Sequence, residues 1–430
     1  MRRMADVRVI DPVEKAEPSN ASPGRLASPG NSILARVGTF SDSFDRLACD
    51  RIVPFNLEIE DFLSPVEAIV SGKRVLLFGT NGYLGMNFRP ECMHAAEQAI
   101  RRHGVGSTAS RVAGGNQTIH LKLEAEIAAL YGRQDAIVFS TGFMANLGVI
   151  STLVREGDAI FIDAHCHASI FDGCRLSGAR VAQFRHNDAD DLARLFRESA
   201  VPGPNTLVIV EGVYSVLGDV GDLTAITAVT KKNGAVLIVD EAHAMGMYGE
   251  NGRGIAELQG LEDDVDVIVG TFSKSAGGIG GYAVTNNPAM RRLRFMARSY
   301  LFTASLPPPI VEAMSEAVRI IATDRGLREK LWANVKKLHA GLGEIGLKPC
   351  AAPGPVGSIR MPGAFGGYEF WKNALDRGIY VNLLMPPATP EGEVLLRFSV
   401  SAAHTDEHIK SALSVFRALA SQAGFAAPSR

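Results

Sequence analysis

Short apolar runs recur along the first two thirds of the chain, and most of them end on a polar or glycine-rich cluster. Residues 74–78, 136–139, 159–162, 206–210, 235–239 and 265–269 are four or five residues long and rich in β-branched side chains. That length and composition predict buried strands rather than helices. Between them, apolar residues return at helical spacing over 90–103, 120–131, 188–198 and 223–233, with Gly132 stopping the second of these. Strands alternating with helices predict a largely parallel sheet covered on both faces. Residues 298–309 break the alternation. A long helix is expected over about 310–340, with an interruption at 324–326. A separate small α/β unit follows: strand 358–361, helix 368–377, strand 380–383, a proline-rich loop at 385–392, strand 394–399 and a last helix over 404–420.

Residues 1–42 lack such a pattern and are studded with Pro, Ser, Gly and Asn, which marks a poorly ordered tail. With 430 residues the chain exceeds what one hydrophobic core fills, so we expect more than one domain. The boundaries drawn are a tail over 1–42, a leading segment over 43–75, a large domain over 76–315, and a connecting helix with small domain over 316–430. A 46% hydrophobic and 21% charged composition is that of an ordinary globular protein, and a net charge of −2 gives no basis for binding nucleic acid. The five cysteines (Cys49, Cys92, Cys166, Cys174, Cys350) are scattered and form no C-x-x-C pair, so zinc and disulfide readings fall away. No apolar run reaches the roughly 18–20 residues of a membrane span, and no signal-peptide core follows the charged N-terminus. The expected location is the cytoplasm.

Four predicted strand ends carry chemistry. After 139 comes Ser-Thr-Gly-Phe-Met-Ala-Asn, a small-residue turn opening a helix, where free N–H groups of Gly142, Phe143 and Met144 can hold a phosphate. After 162 come three polar residues and His167; after 239, Asp240 and His243; after 269, Thr271, Ser273 and Lys274. Lys274 has a hydroxyl on either side, and glycines follow that let the backbone approach a bound group. This set meets the needs of pyridoxal phosphate. Lys274 forms the Schiff base, Asp240 keeps the ring nitrogen protonated, His167 stacks on the ring and His243 reaches its hydroxyl. Open α/β sheets bind ligands at such strand ends.

Four stretches, 240–243 (Asp-Glu-Ala-His), 270–275 (Gly-Thr-Phe-Ser-Lys-Ser), 211–215 (Glu-Gly-Val-Tyr-Ser) and 399–405 (Ser-Val-Ser-Ala-Ala-His-Thr), together resemble the α-oxoamine synthases. Residues 139–148, 167–174, 302–308 and 386–390 (Pro-Pro-Ala-Thr-Pro) are similar to the serine-using bacterial members; the likeness spans about 60–420. The resemblance implies a fold-type I, pyridoxal phosphate-dependent α/β transferase, with a mainly parallel seven-stranded sheet and a small C-terminal α/β domain. It implies decarboxylative condensation of a small amino acid, serine favoured, with a long-chain acyl-CoA or an acyl carrier protein. By the same likeness Thr271 and Ser273 join the phosphate site, and Thr303 completes that of a neighbouring subunit in a homodimer with shared active sites. Arg397 binds the substrate carboxylate, with Asn81 and Ser215 beside the substrate. A long-chain product makes peripheral membrane contact plausible. One departure stands out: Met385 occupies the place of an arginine in the serine-using members. The alternatives are a sister synthase using glycine, alanine or another thioester, an aminotransferase of the same fold, and a non-catalytic subunit.

Overall fold

The computed structural model describes residues 54–386 and 388–422. The chain divides into two compact units after Leu57; only 54–57 of the first are described, and every element below belongs to the second. The tail expected over 1–42 and Cys49 lie outside the described residues.

Three short strands come first: β1 (Asp61–Ser64), β2 (Glu67–Val70) and β3 (Lys73–Leu77). Then follow α1 (Pro90–His103), α2 (Thr118–Leu130), β4 (Asp135–Phe139), α3 (Gly142–Leu153), β5 (Ala159–Asp163), α4 (Ala168–Ser177), β6 (Arg180–Phe184) and α5 (Ala189–Glu198). The central run continues with β7 (Thr206–Glu211), α6 (Leu223–Asn233), β8 (Val236–Asp240), β9 (Val267–Thr271) and β10 (Gly281–Thr285). Two long helices, α7 (Pro308–Thr323) and α8 (Arg325–Glu344), lead to β11 (Val356–Arg360), α9 (Gly363–Asp376), β12 (Ile379–Tyr380), β13 (Asn382–Leu384), β14 (Leu395–Ser399) and α10 (Asp406–Gln422).

The central sheet has seven strands in the order β4-β10-β9-β8-β7-β5-β6. Only β10 runs antiparallel to its neighbours; β9, β8, β7, β5 and β6 pair in parallel. All six residues of β7 and four of the five in β8 are buried, as strands covered on both faces must be. A side chain such as Ile238 or Val239, fully buried here, contributes about 1.5–3 kcal/mol from its removal from water. The ends of β4, β5, β7, β8 and β9 therefore lie along one edge of the sheet, where the polar clusters gather.

Two smaller sheets serve that edge. One, in the order β1-β2-β3-β12, joins the first strands to β12, parallel to β3; the other is antiparallel, β11-β14-β13. Residues 399–405 pin the turn after β3 from below. Ser399 N–H donates to Phe78 O (2.7 Å), Ser401 Oγ to Gly82 O (2.7 Å) and Ala402 N–H to Tyr83 O (2.7 Å), while His404 stacks on Phe78 with ring centroids 4.0 Å apart. The role of this stretch is thus to place Asn81 and Tyr83.

Several elements depart from the pattern-based expectation. β6 was not marked by the sequence, because as an edge strand it buries only Phe184. β10 is hidden by the glycines before it. The strand expected over 380–383 is two strands: Ile379–Tyr380 joins β3 and Asn382–Leu384 joins β14, with Val381 between the sheets. The interruption expected at 324–326 is a true break, with Asp324 at φ −104°, ψ 89° between α7 and α8.

Candidate active site

The edge of the central sheet holds a cavity of about 290 Å³, close to the lower bound for small-molecule sites. Gly142, Phe143, His167, Asp240, His243, Thr271, Ser273 and Lys274 all line it. Four strand ends far apart in sequence converge there.

The phosphate end is built by close approach. Thr141 caps α3, its Oγ1 accepting from Met144 N–H at 3.1 Å. The N–H groups of Gly142 and Phe143 have no intrahelical partner, as in any first turn, whereas Met144 spends its own on the cap and does not line the cavity. A Cβ on Gly142 would fall 2.9 Å from Thr271 Cβ, so only glycine lets this turn meet Thr271. Thr271 Oγ1 donates to Gly280 O and accepts from Ser273, at 2.8 Å each.

At the other end, Asp240 is buried but doubly supported: Oδ2 accepts from Asn146 Nδ2 at 2.7 Å and Oδ1 from Ala242 N–H at 2.8 Å. Asn146 Nδ2 also donates to Ser169 Oγ (3.0 Å), leaving that hydroxyl's proton for His167 Nδ1 (2.8 Å), which accepts Ser169 N–H as well (3.2 Å). With Nδ1 an acceptor twice over, neutral His167 carries its proton on Nε2. Burial holds its pKa below the usual histidine value, with Asp240 opposing and Lys274 assisting.

His243 is buried, with Nδ1 2.8 Å from Tyr83 Oη. Tyr83 Oη lies 3.1 Å from Asn81 Oδ1, which accepts from Arg397 Nη2 at 3.2 Å; Arg397 Nε donates to Ser215 O at 2.7 Å. Asn81, Ser215 and Arg397 thus form one group, joined to the cavity through Tyr83 and His243 without lining it. Burial pushes Tyr83 up to about 12, and burial together with the charges of Lys274, Arg397 and His167 holds His243 well below the ordinary range, so the imidazole is neutral. Lys274, half-buried, is depressed to about 8: burial and Arg397 lower it, Asp240 and Glu211 resist. Thr303 lies elsewhere, in a small hollow with Ser140 and Ala304.

Sequence reasoning passed over Glu211, Asn146 and Tyr83. Glu211 lines the cavity and is paired in register with Asp240 on the neighbouring strand. The signal was available, since both residues are the terminal acid of an apolar strand. Asn146 and Tyr83 carry no such mark; only folding brings them to Asp240 and His243. A second cluster ties the turn carrying His167 to the turn carrying Ser215. His186 bridges Asp163 (2.9 Å) and Asp219 (2.7 Å) and stacks on His165.

These residues fit pyridoxal phosphate. The helix start that only glycine allows has free N–H groups that could take a phosphate, the buried and doubly supported Asp240 suits a protonated ring nitrogen, and Lys274 is depressed towards reactivity. The comparisons agree. The model of the family "Aminotransferase class I and II" matches residues 73–416. A serine palmitoyltransferase of Caulobacter vibrioides is 45% identical over 376 residues, 87% of this chain and 93% of the relative. An 8-amino-7-oxononanoate synthase of Lysinibacillus sphaericus is 37% identical over 358 residues, 83% of this chain and 92% of the relative. A solved structure of a lysine-to-alanine variant of the S. paucimobilis serine palmitoyltransferase, with a bound PLP–myriocin aldimine, matches with a TM-score of 0.89 and 40% identity, covering 91% of this chain and 99% of that one.

Proposed function

The chain belongs to the aminotransferase class I and II family, and from that premise we propose that it condenses L-serine with palmitoyl-CoA, releasing coenzyme A and carbon dioxide and forming 3-ketodihydrosphingosine. It is a pyridoxal phosphate-dependent C-acyltransferase of sphingolipid synthesis. The observation that carries the reading is the convergence of Lys274, Asp240, His167 and His243 on one cavity, in a chain whose serine palmitoyltransferase relatives match it over most of its length.

When bound, the cofactor supplies an electron sink for negative charge developing at the amino acid's α-carbon. The chain's residues do the rest. Gly142 and Phe143 N–H groups, with Thr271 and Ser273, would hold the cofactor's phosphate. Asp240 would face the ring nitrogen with its two donors behind it, and His243, held neutral by burial, would offer its imidazole to the ring hydroxyl. Lys274, with its pKa near 8, takes up and returns the α-proton at moderate pH. His167 turns its Nε2–H to the substrate, while Arg397, two of whose N–H groups are fixed by Ser215 and Asn81, keeps others for the substrate carboxylate. Holding that carboxylate would fix the orientation of the α-carbon, and so which of its bonds breaks.

The active unit is a homodimer in which Thr303 serves the partner's phosphate site. Its place outside its own chain's cavity supports this, as does its neighbour Phe302, which is 75% exposed. Among the described residues no helix is long and apolar enough to cross a membrane; we place the protein in the cytoplasm, meeting membrane only at its surface to release a long-chain product. Met385, buried and uncharged, leaves Arg397 as the cation for the carboxylate. The test is to load the purified chain with pyridoxal phosphate and supply L-serine and palmitoyl-CoA. Equal release of coenzyme A and carbon dioxide is expected. Turnover with glycine or alanine but not serine would overturn the serine reading in favour of a sister synthase.

A further inference from the structure

Among the described residues lining the cavity, Glu211 is the one carboxyl to which the chemistry above gives no task. It is 3% exposed, ends strand β7, and stands in register with Asp240 at the end of β8. Its Oε1 accepts the backbone N–H of His167, a hydrogen bond across 44 residues of sequence. His167 is the N-cap of α4, at φ −62° and ψ 148°, and its ring is held at Nδ1 by Ser169. The histidine is thus fixed twice: through its ring by the Asn146–Ser169 arm that also holds Asp240, and through its backbone by Glu211.

We propose that Glu211 is a positioning residue that anchors the His167 turn to the central sheet from inside the cavity wall, acting through its hydrogen-bonding shape rather than through its charge. Two carboxyls on adjacent strand ends do not both ionise in a buried site unless each has its own cation or donors. Among the described residues Asp240 has two donors, Asn146 Nδ2 and Ala242 N–H, whereas Glu211 has the N–H of His167. Among the described residues, the charged groups acting most strongly on Glu211 are Asp240 on β8, Asp163 at the end of β5, and Lys274 in the turn after β9, of which Lys274 favours its ionisation; the Cys166 and Tyr214 side chains also face it. Burial and Asp240 hold its pKa well above the usual carboxylate range. The division of labour follows: Asp240, with two donors, is left to the cofactor's ring nitrogen, and Glu211, its pKa held up by burial and Asp240, keeps His167 in place through a hydrogen bond that needs no charge.

Three variants test this: Glu211→Gln, which keeps length and hydrogen bonding without charge; Glu211→Asp, which keeps the acid but shortens the arm; and Glu211→Ala. Pyridoxal phosphate affinity and absorption spectrum, melting temperature, and kcat and KM for serine are measured on each. The Gln variant is expected to match the parent within about 3-fold in cofactor affinity and serine KM. The Asp and Ala variants are expected to raise the serine KM roughly 10- to 100-fold and to weaken cofactor binding, with a smaller fall in kcat. Parent-like behaviour of Glu211→Asp together with loss in Glu211→Gln would show that charge is what matters and overturn the proposal. Parent-like behaviour of all three would overturn it as well. The proposal rests on the functional reading only through the choice of serine. If the parent binds the cofactor yet turns over no serine, that reading fails on its own, and the order of the three variants in cofactor affinity still decides the role of Glu211.

Discussion

Lys274 should behave as an unusually acidic lysine before any cofactor reaches it. Its pKa falls from 10.5 to about 8, chiefly through burial, with Arg397 adding to the fall and Asp240 and Glu211 opposing it. At pH 7.5 about 24% of such a group is the free amine, against about 0.1% for an ordinary lysine, a gain of roughly 200-fold in the nucleophilic form. Competitive acetylation of the cofactor-free protein by a trace of acetic anhydride, resolved by peptide mass, reads the amine fraction at Lys274 against surface lysines. The rate should rise with pH and level off with a midpoint near 8. Arg397→Gln should move the midpoint up and Asp240→Asn should move it down, because the first removes a repelling cation and the second an attracting anion. The same depression is a stability cost. The folded state binds this proton less tightly than the unfolded state, so the cost is full below pH 8 and disappears as pH rises towards 10.5. Lys274→Met is therefore expected to stabilise the cofactor-free protein at pH 7 by about 1–2 kcal/mol, after discounting for its partial exposure. A midpoint near 10.5, unmoved by either charge variant, would refute the reasoning.

Other expectations follow from named contacts. Gly281→Ala places a Cβ 2.3 Å from Thr141 O and 2.6 Å from the Gly142 backbone, so it should displace the start of α3, weaken cofactor binding at least about 10-fold and lower the melting temperature. Asn146→Ala removes one donor from Asp240 and the link to Ser169; a loss of about 1–3 kcal/mol in cofactor affinity is expected by equilibrium dialysis. Tyr83→Phe, which separates His243 from Asn81, should lower kcat/KM for serine about 10-fold while leaving thermal stability within about 1–2 kcal/mol of the parent. Burial pulls His186 down, but the hydrogen bonds of Asp163 and Asp219 outweigh it and raise the pKa to about 9. A histidine raised in the folded state stabilises fully below its unfolded pKa of about 6.5 and loses that contribution as pH rises through 9. The difference in melting temperature between the parent and His186→Gln should accordingly be largest at pH 6 and shrink by pH 9.5.

How much of this was legible beforehand depends on where each residue's information lies. The sequence by itself determined the alternation of strands and helices, because the buried parallel strands β7, β8 and β9 are short continuous apolar runs whatever packs on them. It also marked Lys274, Asp240, His167 and His243, since each stands at or just beyond the point where such a run stops. Only the tertiary structure decided the rest. Strand β10 is buried antiparallel between β4 and β9, yet the glycines before and at its start conceal it; Gly281 is required because a Cβ there would meet Thr141 O, a contact across 140 residues. The split of residues 379–384 between two sheets depends on β3 and β14, which come from opposite ends of the described chain. Glu211, Asn146 and Tyr83 matter through the partners they meet, and a hydrogen bond between residues 44, 94 or 160 positions apart leaves no local pattern. Local pattern fixes which segments are buried and where polar chemistry is forced to the end of a strand. Which of those ends share a cavity, and which donors each carboxyl there meets, is set by sheet order and by the partners that folding brings within reach.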